Sequence, residues 1–117
     1  MTVDAFFEGH PDAQQIYDAL AQELMLLGQV SVAPSKSQIA FRRHHTVAVV
    51  WRPEQYLKQK MAPLVLTLSF PEPVTSPRWK EVVKISPNHF THHLELHHPA
   101  EVDEEVRSWL RRAWAAA

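Results

Sequence analysis

From Val30 to Leu96 apolar side chains recur at every second position, while on both sides of that stretch they recur at the spacing of a helix. A period of two means extended backbone whose alternate side chains leave on opposite faces. The middle of this chain therefore has a sheet as its natural fold. Val30 and Val32 flank Ser31, and Ile39 and Phe41 alternate with Gln38, Ala40 and Arg42. Val47, Val49 and Trp51 alternate with Ala48 and Val50, and Leu64, Leu66, Leu68 and Phe70 alternate with Val65, Thr67 and Ser69. Val83 and Ile85 flank Lys84, and Phe90, Leu94 and Leu96 complete a last run. Short links at His44-His45 and Ser86 to His89 make neighbouring strands antiparallel. Arg52 to Pro63 and Pro71 to Trp79 are longer loops whose prolines restrain their paths.

The ends are helical. Thr2 can cap a short turn that carries Phe6 and Phe7, and Gly9 ends it. Pro11 suits the first position of a longer helix and Gly28 its C-terminal cap, with Ile16, Tyr17, Leu20, Leu24 and Leu27 on one stripe. Asp103 can cap a last helix to Ala116, with Val106, Trp109, Leu110 and Ala113 as its buried stripe. The expected architecture is one α+β domain over residues 1–117. It has an N-terminal helical segment (2–28), a mostly antiparallel sheet of five to six strands (30–97) and a C-terminal helix (103–116). Helices at both chain ends cover one sheet face and leave the other partly open.

Several chemistries are excluded. The chain has no Cys, so it has no thiolate metal site and no cysteine nucleophile. With Gly9 and Gly28 as its two glycines it cannot build a phosphate-cradling glycine loop. No apolar run approaches the ~18 residues of a membrane span. The stretch after Met1 lacks the pattern of a signal peptide, which points to the cytoplasm. Nothing in the sequence calls for a cofactor.

Charge is distributed unevenly. Residues 1–35 carry five acids and no Lys or Arg, residues 36–84 carry nine Lys/Arg against three Glu, and the net charge is −1. By alternation, Lys36, Arg42, Arg52, Lys80 and Lys84 fall on the sheet face away from the helices, with Ala48, Val50, Thr67 and His93. Arg78 and Trp79 lie on the loop leading to it, and Trp51, Tyr56 and Trp79 are aromatics able to stack on a flat ligand. The expected site is thus Lys36, Arg42, Arg52, Arg78, Trp79 and Lys80 on a noncatalytic binding module. Its ligand would be an anionic small molecule or an acidic protein segment, for which Arg provides bidentate contacts. Nucleic acid is a less favoured partner, because a pI near 6.7 is not that of a dedicated binder. The alternative is a small metal-dependent enzyme. His93, Glu95 and His97 alternate along one strand face within "THHLELHHP" and are of ligand type.

Four segments also carry a resemblance. "KSQIAFRR" (36–43), "VWRPEQYL" (50–57), "SPRWKEVV" (76–83) and "HHLEL" with the closing "EVRSWLRRAW" resemble the bacterial domain-of-unknown-function family 5655. The likeness spans nearly the whole chain, and Lys-Ser-x-Ile-x-Phe-Arg and Arg-Trp-Lys are its most specific parts. It implies a compact helix–sheet–helix domain, found alone or appended to others, and it implies no assigned reaction. The tail "RRAWAAA" departs from the pattern, in which an acidic residue and Tyr more often precede the last alanines.

Overall fold

The computed structural model describes residues 1–55 and 61–117. Helix α1 (Val3–Phe6) starts at Thr2, whose hydroxyl accepts from the Ala5 N–H at 3.1 Å. Helix α2 (Pro11–Leu27) opens on Pro11 and stops at Gly28, whose φ of 82° favours a residue without Cβ. Its Ala13, Ile16, Tyr17, Leu20 and Leu24 are buried, while Leu27 is partly so.

Six strands follow: β1 (Ser31–Pro34), β2 (Ile39–Arg42), β3 (Thr46–Trp51), β4 (Leu64–Phe70), β5 (Glu81–Ser86) and β6 (His89–Leu96). They form one sheet in the order β1-β2-β3-β4-β6-β5, antiparallel throughout. The chain therefore steps over β6 between β4 and β5, and segment 71–79 makes that crossing. β5 is left at the edge. Helix α3 (Glu104–Ala116) is capped by Asp103, whose carboxylate accepts from the Val106 N–H at 3.1 Å. This is the α+β arrangement that the periodicities predict.

The core lies between the helices and one sheet face. Directly paired residues of antiparallel strands share a face. Phe41, Ala48, Leu68 and His92 form one such row, and Ile39, Val50, Leu66 and Leu94 form another. Tyr17 of α2 stacks on Phe41 with ring centroids 5.6 Å apart, and Trp109 of α3 supports the far end of the same face.

Two strands present faces opposite to those expected. In β3, Ala48 and Val50 face the core, while Val49 pairs with Thr67 and Trp51 with Val65 on the outer face. The cause is a bulge: Phe41 pairs with Ala48 but Arg42 with Thr46, so Val47 is an extra residue and both Val47 and Ala48 are buried. One inserted residue reverses the phase of everything beyond it. In β5, Glu81 and Val83 pair with His93 and Thr91 on the outer face, and Val82 and Lys84 take the helix side. At this edge the helices give little cover, and Val82 keeps 41% of its surface exposed. Polarity therefore imposes no phase on β5.

Candidate functional site

The six expected ligand-binding residues do not converge. Lys36 lies in the β1–β2 turn, which the Ser35 N–H closes on the Gln38 carbonyl at 2.8 Å. Arg42 ends β2, at the other end of that strand from Lys36. Arg52 follows Trp51 and, because of the β3 bulge, turns to the helix side, where its guanidinium lies 5.3 Å from the Phe6 ring centroid. Arg78 is bound to α3: its Nη1 lies 3.0 Å from the Asp103 carboxylate and 2.9 Å from that of Glu105, and its Nη2 donates to the Glu101 carbonyl. Trp79 stacks on Trp109 at 4.1 Å and donates its indole N–H to the Val74 carbonyl, so it belongs to the core side. Lys80 reaches the outer face but sits 3.8 Å from Glu95. Of the middle segment's cations, Arg78 and Lys80 are thus answered locally by acids of the last third. Tyr56 lies outside the described residues.

The strand bearing the histidines resolves into separate roles. His92 is fully buried. On the outer face, Trp51 Nε1 donates to Thr67 Oγ1 at 3.2 Å, and that hydroxyl lies 2.8 Å from His93 Nδ1. With one lone pair of Thr67 occupied by Trp51, its own hydrogen is free to point at Nδ1. Burial lowers the His93 pKa first; Glu81, opposite it, raises it, and Lys80 lowers it again. Glu95 is engaged by Lys80, and the exposed His97 has its backbone N–H bonded to the Glu101 carboxylate. Among the described residues, no group of three or more His, Asp or Glu side chains is placed to hold a metal ion. His93, Glu95 and His97 are not gathered as the metal-enzyme alternative requires.

A concave site does exist elsewhere. Where the β2–β3 turn, the end of β4, the β5–β6 turn and the end of α3 meet, they enclose an open cleft of about 510 Å³. Arg42 and His45 line one side, with Asn88 and His89 opposite in the chain order of the sheet. Phe70, Pro71, Ala113 and Ala116 give it an apolar wall. Arg42 Nη1 donates to Thr46 Oγ1 at 3.0 Å, and among the described residues it pairs with no carboxylate. His89 Nε2 lies 3.2 Å from Ser69 Oγ. This is a Ser–His contact with no described carboxylate bonded to the ring, so it lacks the third group that orients a catalytic base.

Next to the cleft, Arg43 binds the end of α3. That guanidinium lies 3.8 Å from the Trp114 ring centroid, and its Nη1 donates to the Trp114 carbonyl at 3.1 Å. The last turn of α3 has no basic residue of its own, so Arg43 supplies the positive charge that the helix C-terminus favours. Of the cleft residues, Arg42 is recognisable in the sequence as an outward cation. His45 and His89 read there as ordinary turn residues. Their signal is positional: two histidine-bearing turns come to the same end of the sheet, and that depends on strand order.

Among the described residues, no helix is long and apolar enough to cross a membrane. The family model described as "Domain of unknown function (DUF5655)" matches residues 3–117, and the chain belongs to that family. No curated protein and no solved structure matches the chain significantly.

Proposed function

We propose that this member of the family is a noncatalytic binding module whose cleft takes a small ligand bearing a carboxylate or phosphate. Arg42 carries the reading: it is an exposed guanidinium at the edge of a cleft, oriented by Thr46 and without a carboxylate partner among the described residues. A fixed, uncompensated guanidinium suits planar anions, which it can bind through two parallel N–H donors. The imidazoles of His45 and His89 add further donors, and the wall of Phe70, Pro71 and two alanines suits a short apolar body on the same ligand. A volume of about 510 Å³ is that of a small-molecule site. A single arginine lining the cleft does not make the basic tract that a nucleic-acid backbone requires.

The test is titration with inorganic phosphate and with succinate, followed by amide chemical shifts. Shifts centred on Arg42, Thr46 and His89 that weaken with salt support the proposal. Arg42→Ala should abolish them, and Arg107→Ala, whose guanidinium pairs with Glu104 away from the cleft, should leave them intact. If Arg42→Ala binds both anions as the parent does, the cleft is not an anion site.

A further inference from the structure

We infer that His92 is a proton-sensitive latch: as a neutral ring it holds segment 71–79 onto the sheet through Val74, and its protonation releases the middle of that segment. The inference does not depend on the proposed ligand.

The geometry dictates the protonation state. His92 has no solvent exposure, and its Nε2 lies 3.0 Å from the Val74 backbone nitrogen. A backbone N–H can only donate, so Nε2 must be bare and accept. The ring proton is then on Nδ1, which lies 3.1 Å from the Phe90 carbonyl and donates to it. Both ring nitrogens are satisfied in this one tautomer. An imidazolium would set a second N–H against the Val74 N–H, and two donors cannot share that space.

The surroundings resist charge. Phe70 and Trp79 meet the ring edge-on with centroids 4.9 and 5.0 Å away. Burial is the largest effect lowering the pKa below the ordinary histidine value. Hydrogen bonding to the Phe90 and Leu68 carbonyls acts in the opposite direction, and Arg112 and His93 lower it further. Arg112 comes from α3 and is itself paired at 2.7 Å with Glu72 of the crossing segment. From β5, the residue paired with His92 is the uncharged Val82, flanked by Glu81 on the outer face and Lys84 on the helix side. The acids near the far end of the segment, Asp103 and Glu105, are committed to Arg78.

The release is local for the same reason. Arg78 and Trp79 remain anchored on α3 through two carboxylates and the Trp109 stack. Val74, packed partly buried against the core, hangs on the His92 bond and on the Trp79 indole. Acidification therefore lifts the stretch around Val74, which begins beside Phe70 and Pro71 of the cleft wall.

The sign follows from linkage. With a folded-state value below that of the free side chain, the open form binds the proton more readily. The latch is then intact above about pH 6.5 and is lost as pH falls toward the folded-state value. The open-to-closed ratio rises by about tenfold for each unit separating the two values. Hydrogen exchange of the Val74 amide, corrected for its intrinsic rate, should accelerate from about pH 7.5 to about pH 4.5, across the histidine range. Over that range Leu66 and Val50 should stay protected. His92→Gln, which can accept from Val74 without titrating, should exchange independently of pH. Loss of Val74 protection only together with Leu66 and Val50 would overturn the inference, as would an unchanged pH profile in His92→Gln. Should that variant not fold, the comparison of Val74 with the two core amides in the parent protein decides alone.

Discussion

Replacing Val50 and, separately, Val49 with Ala tests the phase of β3 and with it the placement of Arg52 and Trp51. Val50 is fully buried between Ile39 and Leu66, whereas Val49 lies between Ala40 and Thr67 on the outer face and is partly exposed. Each substitution removes the same two carbons and the same β-branching. The loss of strand preference, of order 1 kcal/mol or less, is therefore common to both. At Val50 the two buried carbons add about 0.8 kcal/mol each. The unfilled space adds about 24 cal/mol per Å³ wherever the neighbours do not collapse. Val50→Ala should consequently cost about 2 kcal/mol more than Val49→Ala. In urea, with a slope of about 2 kcal/mol/M for a domain of this size, the gap is about 1 M between midpoints. Equal midpoints, or a larger loss for Val49→Ala, would refute the bulge-shifted phase and return Arg52 to the outer face.

Asp103→Ala should destabilise by roughly 1–2 kcal/mol through loss of the cap on α3, read as a lowered urea midpoint. Burial would raise the Asp103 pKa, but hydrogen bonds from the Val106 N–H and Arg78 outweigh it and hold it low. Its contribution should thus be complete above the ordinary carboxylate range and disappear as pH falls through the folded-state value, a loss that Asp103→Asn should not show. Arg43→Met keeps much of the stem over Trp114 but removes the charge at the end of α3, and should cost about 1 kcal/mol in a thermal melt. Incubation with a chelator should leave the melting temperature unchanged; a loss restored by added zinc would require a metal site.

The sequence determines on its own what depends on neighbours along the chain. Thr2 and Asp103 cap, Pro11 and Gly28 bound, and the helical stripes of α2 and α3 are buried as their spacing predicts. In β4 the phase is legible too, because Leu64, Leu66 and Leu68 alternate with more polar neighbours at Thr67 and Ser69. In β3 the run "TVAVVW" is apolar at both parities, so polarity holds no phase information and the bulge decides. In β5 the edge position removes the burial that would otherwise select a face.

The fate of the cations was decided in three dimensions for a related reason. Arg78 and Lys80 look uncompensated in a basic segment, yet Asp103 and Glu105 reach one from α3 and Glu95 reaches the other from β6. Coulomb attraction acts through space, and the linear order of residues does not show which acids fold back onto which bases. Among the described residues Arg42 pairs with no carboxylate, because the elements meeting it at the end of the sheet bring histidines, alanines and a proline to the cleft. The cleft itself exists because β6 inserts between β4 and β5, which carries the His89 turn to the end of the sheet where Arg42 and α3 finish. Alternation along a strand is a local property and can be read from the sequence. Strand order is set by how the whole core packs, and only the tertiary structure decides it.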